Sequence, residues 1–316
     1  MTLQRFVVKR FLVMIPVLLG VTFITFMMTH MLPGDPIDFM TQFENVSEET
    51  KEQLRQDYNL HQPIWIQYIL WLGDALSLDF GQSIVTGRDV TGAIMARLPY
   101  TILLGVAAWI IAMVIAIPAG IVAAYNKDDI EDETSRIFAL LGISIPNFWL
   151  GLMLLMVFSV GLGWFRVLPP TDEGILSPEM LKFTILPAVT IGTASTALLM
   201  RLMRSSMVEE LNKDYVTMAR AKGLSERTIV LKHVLRNSLI AVVTVAALQI
   251  AFIVDGAVVV EIVFSYPGIG RMLINAITQR DFPIIQATVL MIGVAIVVAN
   301  LLADLVYAWL DPRIRY

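Results

Sequence analysis

Long uncharged apolar stretches alternate with short polar segments along the chain. A helix that crosses a bilayer needs about 20 largely apolar residues, and the sequence offers six stretches of roughly this kind. They run over residues 11–32, 101–125, 137–165, 183–200, 238–264 and 282–303. The fifth stretch contains two acidic residues, Asp255 and Glu261. The pattern predicts an all-α, polytopic membrane protein with about six transmembrane helices.

The composition also indicates a membrane protein. Hydrophobic residues make up 57% of the chain and charged residues 16%, with a mean hydropathy of +0.71. Soluble domains carry roughly 25% charged residues, so this chain has too little polar surface to cover one water-soluble core. The net charge of -4 gives no indication of a nucleic-acid partner. Cysteine is absent, which excludes disulfides, thiolate metal sites and cysteine nucleophiles.

Basic residues predict the orientation in the membrane. Arg5, Lys9 and Arg10 precede the first apolar stretch, and cytoplasmic segments carry an excess of Lys and Arg. We therefore expect the N-terminus in the cytoplasm, and six crossings return the C-terminus to the same side. The cytoplasmic segments are then residues 1–10, 125–136, 201–240 and 311–316. They hold most of the 23 Lys and Arg residues, although the second of them is mostly acidic.

The first extracytoplasmic segment, residues 33–97, is too long for a plain connector. Ser47 followed by two glutamates predicts a helix start, because a serine side chain caps a helix N-terminus and acids favour its first turn. A second helix is predicted from Pro63. We therefore divide the chain into residues 1–97, a transmembrane helix with a helical extracytoplasmic insertion, and residues 98–316, a five-helix core.

The predicted helix after Pro63 is amphipathic. Trp65, Tyr68, Ile69 and Leu72 share one face by their helical spacing. Aromatic residues on such a face suit the membrane–water interface, but the same face could instead pack against the rest of the protein. The sequence leaves both interpretations open.

One strongly charged segment, residues 214–237, lies between the fourth and fifth apolar stretches; we call it the basic segment. It is helix-prone and rich in Lys and Arg, so we expect it at the cytoplasmic membrane surface. Gly223 stands near its centre, where a glycine can adopt a positive φ between two short helices. A long helical loop of this kind is typical of a docking element. The alternative is that Gly223 merely ends a helix.

The basic segment resembles a known docking loop. Its stretch Ala219-Arg-Ala-Lys-Gly223-Leu-Ser, followed by His233-x-Leu235-Arg-Asn237, is similar to the loop of ABC importer permeases that seats in a groove on the ATPase subunit. Further stretches resemble the dipeptide/oligopeptide branch of that family: Leu32-Pro-Gly-Asp-Pro36, Leu60-His-Gln-Pro63 with Gln67-Tyr68, Phe80-Gly81-Gln-Ser83, and residues 258–271 and 311–316. Because these stretches occur in the expected order, the resemblance covers nearly the whole chain.

The resemblance implies the type I ABC importer permease fold and an inner-membrane subunit that forms half of a translocation path for di- or oligopeptides. It implies a paralogous permease, two cytoplasmic ATP-binding subunits and an extracytoplasmic substrate-binding protein as partners. Related permeases carry nickel chelates, glutathione or oligosaccharides, so these cargoes remain alternatives. The residues carried over as ATPase contacts are Ala219, Ala221, Gly223, Leu224, His233 and Leu235.

The basic segment departs from the general importer pattern, which begins Glu-Ala-Ala and ends Leu-Pro. Thr217 and Met218 stand at the first two places, and Arg236 stands where the proline is expected. An acidic contact from the first position is therefore not carried over to this chain.

No catalytic centre, cofactor site or metal site is predicted. The sequence contains no G-x-x-x-x-G-K-[ST] phosphate loop, so the energy source must act in trans. The three histidines fall on separate segments and cannot form one metal site. The other function class considered, a stand-alone secondary carrier or ion channel, predicts coupling acids or inverted repeats. No clear repeat is evident, and this class leaves the basic segment unexplained.

Polar residues within the apolar stretches are further candidates. A charged side chain at the bilayer centre costs at least about 2.5–3.5 kcal/mol, so such residues usually face a cavity or a partner. We predict that Asp255, Gln249 and Asn147 line the translocation path, with structural hydrogen bonds between helices as the alternative. Glu261 is expected to reach the outer interface. Three prolines are expected to kink the second, third and fourth spans: Pro118, Pro146 and Pro187.

Overall fold

The computed structural model describes the backbone of residues 3–30, 37, 47–57, 60–170 and 173–310. Side chains are described within these ranges except at 3–7, 29–30, 54, 57, 250–256 and 306–310. Two of the stretches that carry the family resemblance, residues 32–36 and 311–316, lie outside the described residues. Within the described ranges the regular elements are helical, apart from one isolated bridge between Gln82 and Asp89.

The helices follow one another along the whole described chain. In order they are α1 (Leu3–His30), α2 (Glu48–Asp57), α3 (Ile64–Leu76), α4 (Val90–Tyr125), α5 (Ile130–Ser144), α6 (Asn147–Leu154), π1 (Leu155–Gly161), α7 (Pro178–Leu211), α8 (Asp214–Ala221), α9 (Glu226–Thr228), π2 (Ile229–Val234), α10 (Leu235–Val263), α11 (Ile269–Gln279) and α12 (Phe282–Leu310). The segments π1 and π2 are wider π-helical turns, which are rare and are frequently found at functional sites.

Five helices of the described chain are long and apolar enough to cross a membrane. They are Val8–Met28 within α1, α4, α7, the stretch Glu226–Gln249, and Phe282–Leu305 within α12. α5 and the following α6–π1 helix pass the same test together, and counting them as one broken span gives six. The prediction of an all-α protein with about six spans is confirmed.

The third predicted span is not one straight helix. Between α5 and α6 the helix axis turns by 106°. Pro146 lies at this break, where it has no N–H to donate and restricts the preceding residue to an extended conformation. Ile145 accordingly has φ -79° and ψ 124°. Pro118 and Pro187 lie inside the continuous helices α4 and α7, so neither of them breaks its span. A kink at these two prolines stays a prediction.

Two helices extend well beyond their predicted spans. α4 begins at Val90 instead of residue 101, and α7 continues to Leu211 instead of ending near residue 200. The added turns carry charged residues, which ended the apolar stretches in the sequence, but each turn also buries apolar side chains. Ile94 in α4 and Met207 in α7 are both buried. Packing therefore continues these helices beyond the point where apolarity ends.

The chain divides into two compact units. The core unit comprises Met1–Val8, Ile102–Tyr266 and Ala299–Tyr316, and the insertion unit comprises Lys9–Thr101 and Pro267–Val298. The boundary after Thr101 lies close to the predicted division after residue 97. The insertion unit also contains Pro267–Val298, from the C-terminal half of the chain. A single division point in the sequence cannot describe a unit built from two separate segments.

The helices of the core unit approach one another closely at small residues. A Cβ atom added at Gly120 in α4 would lie 2.6 Å from Met203 Cβ, and one added at Gly192 in α7 would lie 2.9 Å from the Ala108 carbonyl oxygen. Both contacts are too short for any side chain larger than hydrogen. Close packing at small residues is the usual means of helix association in lipid, where apolar surface alone gives no driving force.

The insertion unit contains both helices predicted after the first span. α2 begins at Glu48, and the Ser47 Oγ atom accepts a hydrogen bond from the Thr50 backbone amide at 3.2 Å, which confirms the predicted cap. α3 begins at Ile64 directly after Pro63, also as predicted. A buried cluster connects the start of α4 with α11 and α12 through Val90, Ile94, Ile269, Met272 and Ala287.

The stretch Phe80-Gly81-Gln-Ser83 has a structural role in the insertion unit. Ser83 donates a hydrogen bond to the carboxylate of Asp281, which is buried. The Ser83 Oγ atom also accepts a hydrogen bond from the Thr86 amide at 2.9 Å. Since the Asp281 carbonyl accepts from the Ile285 amide, Asp281 stands at the N-terminus of α12. The serine therefore ties the insertion to the start of the last span.

The predicted amphipathic face of α3 is divided between two environments. Tyr68 packs against Phe23 and Phe26 of α1, with ring centroids 5.6 and 5.5 Å apart. Trp65 and Ile69, on the same predicted face, are 63% and 60% exposed. Neither of the two sequence interpretations describes the whole face.

A buried ion pair fixes the N-terminal turn of α5 to α7. Asp132 has no exposed side-chain surface, and its carboxylate accepts a hydrogen bond from the Arg204 Nη2 atom at 2.6 Å and a second from Arg204 Nε. Arg136 donates to the same carboxylate at 2.7 Å, and the Asp128 backbone amide does so at 3.0 Å. The sequence marked residues 125–136 only as an acidic exception to the positive-inside pattern. The fold shows that one of these acids is a buried partner for a basic residue.

Removing the Arg204 guanidinium should therefore destabilise the protein. Arg204→Met removes the guanidinium that donates two hydrogen bonds to the buried Asp132 carboxylate. We expect the free energy of unfolding to fall by about 3 kcal/mol, as is typical for a broken buried ion pair. The matched control is Glu133→Gln. It removes a carboxylate that is 66% exposed and forms a longer ion pair, 3.6 Å, with Arg136. The measurement is the thermal unfolding temperature of the purified protein in lipid nanodiscs. Equal unfolding temperatures for the two variants would contradict the assignment.

Candidate functional site

The basic segment forms two short helices separated by a tight turn. α8 ends at Ala221, and Gly223 in the turn has φ +78°. The Leu224 amide donates to the Ala219 carbonyl at 3.3 Å, and the Gly223 amide donates to the Arg220 carbonyl at 2.9 Å. This pair of bonds is the Schellman arrangement in which a glycine ends a helix. The predicted positive φ is present, but the turn geometry alone is common to a docking turn and a simple helix end.

An ion pair closes the turn from the outside. The Arg220 Nε atom donates to Glu226 Oε1 at 2.6 Å, and Arg220 Nη2 donates to Glu226 Oε2 at 3.3 Å. The Ser225 Oγ atom caps α9 by accepting from the Thr228 amide at 3.4 Å. A two-bond pair between guanidinium and carboxylate fixes orientation as well as distance. The residues on either side of Gly223 are therefore held in a defined arrangement.

The inner face of the basic segment belongs to the hydrophobic core of the core unit. Its buried residues share one cluster with α4, α7 and α10: Val216, Ile229, Val230 and Val234. Two of the six predicted contact residues, Ala219 and Leu235, pack against this cluster. They support the segment from within.

The outer face presents the remaining candidates. Ala221, Gly223 and Leu224 are exposed, and His233 in π2 is half-buried. Met218 is 60% exposed and was not among the predicted contacts. A Cβ atom added at Gly223 would meet nothing within 4 Å in this chain, so the turn stands free. The exposure of the residues next to Gly223 could not be predicted from the sequence, because residue spacing does not tell which way side chains point across a turn.

A polar cluster joins the two ends of the basic segment to α7. Glu210 accepts hydrogen bonds from Tyr215 at 2.7 Å, from Asn237 at 3.4 Å and from Lys213. Burial and the hydrogen bond to Glu210 raise the pKa of Tyr215 above its usual value, and the same carboxylate raises the pKa of Lys213. Both donors are already protonated at neutral pH at their ordinary pKa values, and the shifts extend this state to higher pH. The cluster therefore stays hydrogen-bonded over the physiological range.

The three predicted path residues lie in two elements, α10 and α6. Gln249 in α10 is 8% exposed, and its Oε1 atom has no hydrogen-bond partner among the described residues. Asn147 is half-buried at the first position of α6, directly after the break at Pro146. Asp255 lies in α10, but its side chain is outside the described residues. The prediction for Glu261 is wrong, because this side chain is fully buried and does not reach an interface.

The core unit contains a largely apolar groove of about 590 Å³, and none of the three predicted path residues lines it. It lies between α4, α5 and α7, and the Thr193 and Thr196 side chains contribute to its wall. The Thr193 hydroxyl donates to the Val189 carbonyl of its own helix at 2.7 Å, so this hydroxyl is already satisfied. The groove could not be predicted from the sequence because residues of three separate helices line it.

Comparison with known proteins covers nearly all of this architecture. Residues 116–316 match the family model "Binding-protein-dependent transport system inner membrane component", and residues 3–105 match the corresponding N-terminal family. The oligopeptide transport system permease protein AppB of Bacillus subtilis is 42% identical over 320 residues, which cover 99% of this chain and 100% of that protein.

Other relatives are named for peptide or glutathione transport. A putative peptide permease protein of Brucella ovis is 40% identical over 317 residues, covering 98% of this chain and 99% of that protein. The glutathione transport system permease protein GsiC of Escherichia coli is 40% identical over 312 residues, covering 99% of both. Since the family models and these full-length matches agree, the chain belongs to the family of binding-protein-dependent transport system inner membrane components.

Proposed function

We propose that this chain is the permease subunit of an ABC importer and forms half of the translocation path for di- or oligopeptides. The observation that carries the proposal is the full-length similarity to permeases named for oligopeptide, peptide and glutathione transport. Glutathione is itself a short peptide, so all three names describe cargo with amide groups. Glutathione is the second candidate cargo, on the strength of that relative.

ATP hydrolysis is assigned to partner subunits. The chain contains no phosphate loop, so two cytoplasmic ATP-binding subunits supply the energy, and a paralogous permease completes the path. An extracytoplasmic substrate-binding protein delivers the cargo. These partners follow from the family, in which the membrane component depends on a binding protein.

The basic segment is the proposed contact with an ATP-binding subunit. Its outer face offers exposed apolar atoms at Met218 and Leu224 on either side of the free Gly223 turn. Its inner face is packed into the same cluster as α10. A force applied at the turn therefore acts on a spanning helix without a flexible connector between them.

Gln249 is the proposed polar contact on the path. A buried acceptor without a partner is costly unless something binds it, and a peptide amide N–H is a suitable donor. Asp255 is retained as a second path residue on sequence grounds, and Asn147 as a third at the break between α5 and α6.

The first prediction of this proposal concerns docking. Gly223→Val adds a side chain in the turn and should abolish recovery of the ATP-binding subunits with the permease, because the side chain obstructs close approach. The matched control is Gly87→Val, since Gly87 also has a positive φ, +65°, and open space around its Cβ position. Both variants should share a strain of about 1–3 kcal/mol, so a difference between them reports docking.

The measurement is affinity purification of the permease from native membranes, with ATP-binding subunits quantified and cargo-stimulated ATP hydrolysis measured in the same sample. If Gly223→Val retains the ATP-binding subunits and stimulated hydrolysis, the docking role of Gly223 is contradicted. Gly223 would then only end a helix. Equal loss in Gly87→Val would point to strain instead of docking.

A second prediction concerns orientation. From the distribution of Lys and Arg we expect both termini and the basic segment in the cytoplasm. We expect residues 33–97 on the extracytoplasmic side. Because the chain lacks cysteine, Glu49→Cys and Lys222→Cys, both at exposed positions, introduce single labelling sites. A membrane-impermeant thiol reagent should label the first in intact spheroplasts and the second only after permeabilisation. Labelling of Lys222→Cys from outside would reverse the topology.

A third prediction concerns the path. Gln249→Leu should lower peptide uptake while leaving thermal stability unchanged or raised, because it removes a buried Oε1 atom that has no hydrogen-bond partner among the described residues. The matched control is Thr190→Val, which changes a buried hydroxyl that donates to the Leu186 carbonyl of its own helix. Uptake of radiolabelled peptide by cells and the unfolding temperature are measured together. A loss of stability in Gln249→Leu with normal uptake by the surviving protein would assign Gln249 to a structural bond.

A further inference from the structure

We propose that α3 lies in the membrane–water interface, with its outward face in contact with lipid of the leaflet in which α1 ends. The outward face consists of apolar side chains that the protein leaves 43% or more exposed: Ile64, Trp65, Ile69, Leu70 and Leu76. The occupant we propose is the bilayer itself, and four features of the insertion unit favour it.

The polarity of α3 is inverted relative to a helix on a soluble protein. Its inward side contains polar groups that are satisfied within the protein. Gln67 is 8% exposed and donates to the Gln62 carbonyl at 2.8 Å and to the Leu60 carbonyl at 3.3 Å. The Tyr68 hydroxyl lies 2.8 Å from Thr22 Oγ1. Polar groups inside and apolar groups outside is the arrangement that a lipid environment requires.

The depth at which α3 meets α1 agrees with an interfacial position. Tyr68 contacts Leu19, Thr22 and Phe26 in the C-terminal half of α1. The first polar pair after them in the sequence is Thr29-His30. At 1.5 Å per residue, Phe26 and Thr22 lie about 6 and 12 Å before His30. Amphipathic interfacial helices bury their apolar face about 5–10 Å into the boundary between head groups and acyl chains.

The outward face of α3 continues the lipid-facing surface of α1. Phe23 contacts Tyr68 and is itself 50% exposed, and the neighbouring Ile24 is 65% exposed. The spanning part of α1 buries only 11% of its most apolar window within this chain. A surface that begins on a spanning helix and passes without interruption onto α3 is most simply covered by the same lipid.

Charge separates α3 from its neighbour α2. Residues 64–73 carry no charged side chain, and Asp74 is the single charge of α3, in its last turn. α2 by contrast is built almost entirely of charged and polar residues. Tryptophan is also enriched at membrane interfaces, where its ring is apolar and its N–H can meet head groups or water. The insertion therefore has one helix suited to water and one suited to the interface.

The test uses spin labels on the assembled importer in lipid vesicles. Ile69→Cys places a label on the outward face without disturbing a core contact, because Ile69 is 60% exposed. Ile24→Cys on α1 is the lipid reference, and Glu52→Cys on the exposed side of α2 is the water reference. Accessibility to oxygen, which concentrates in lipid, is compared with accessibility to a water-soluble nickel chelate.

We expect the oxygen-to-nickel accessibility ratio at position 69 to shift away from the Glu52 value and towards the Ile24 value. Trp65→Cys, one turn earlier on the same face, should give the same shift and serves if the first variant fails to assemble. A ratio equal to that of Glu52 would show that the face lies in water. Shielding from both reagents, either at rest or only after addition of the substrate-binding protein, would show that another protein covers the face. Either result would overturn the proposal.

Discussion

One packing interaction supports the functional interpretation of this permease: the inner face of the basic segment is part of the hydrophobic core. Val216 and Val234 have no exposed surface and share their cluster with Leu199 and Met203 of α7 and with Ala246 of α10. Burial of apolar surface contributes about 25 cal/mol per Å² to stability. Separating the segment from these helices would therefore cost a large part of this stabilising free energy. A loop that floated free of the core could bind a partner but could not transmit a movement.

Polar contacts brace this arrangement at three levels of exposure. Asp132 and Arg204 form a buried pair that fixes α5 to α7. The Glu210 cluster, at intermediate depth, ties both ends of the basic segment to α7. Arg220 and Glu226 lie at the surface, where ion pairs contribute little to stability because water and salt screen them. The first contact therefore serves stability, and the last serves the shape of the Gly223 turn.

The bilayer as a solvent explains why the outside of the protein is so apolar. Lipid tails do not drive helices together, so the helices associate through close contacts at small residues such as Gly120 and Gly192. Their outward surfaces remain apolar because lipid covers them. The proposed position of α3 extends this logic to the insertion unit: polar groups satisfied on the inner side and apolar groups on the outer side suit a helix that contacts lipid.

Local rules written in the sequence determined several features without tertiary information. The apolar stretches predicted the number of spans, Ser47 predicted the start of α2, and Gly223 predicted a positive-φ turn. Each depends on residues close together in the chain, since capping, φ preference and span length are local properties. The resemblance in the basic segment likewise led to the family.

Only the tertiary structure decided which way side chains face. It turned Ala219 and Leu235 inward, buried Glu261, and paired Asp132 with a residue 72 positions away. It also divided the α3 face between α1 and the surroundings, and it converted the stretch around Pro146 into a 106° bend. These outcomes depend on contacts between distant segments, and the spacing of residues along one helix contains no information about which neighbour will cover it.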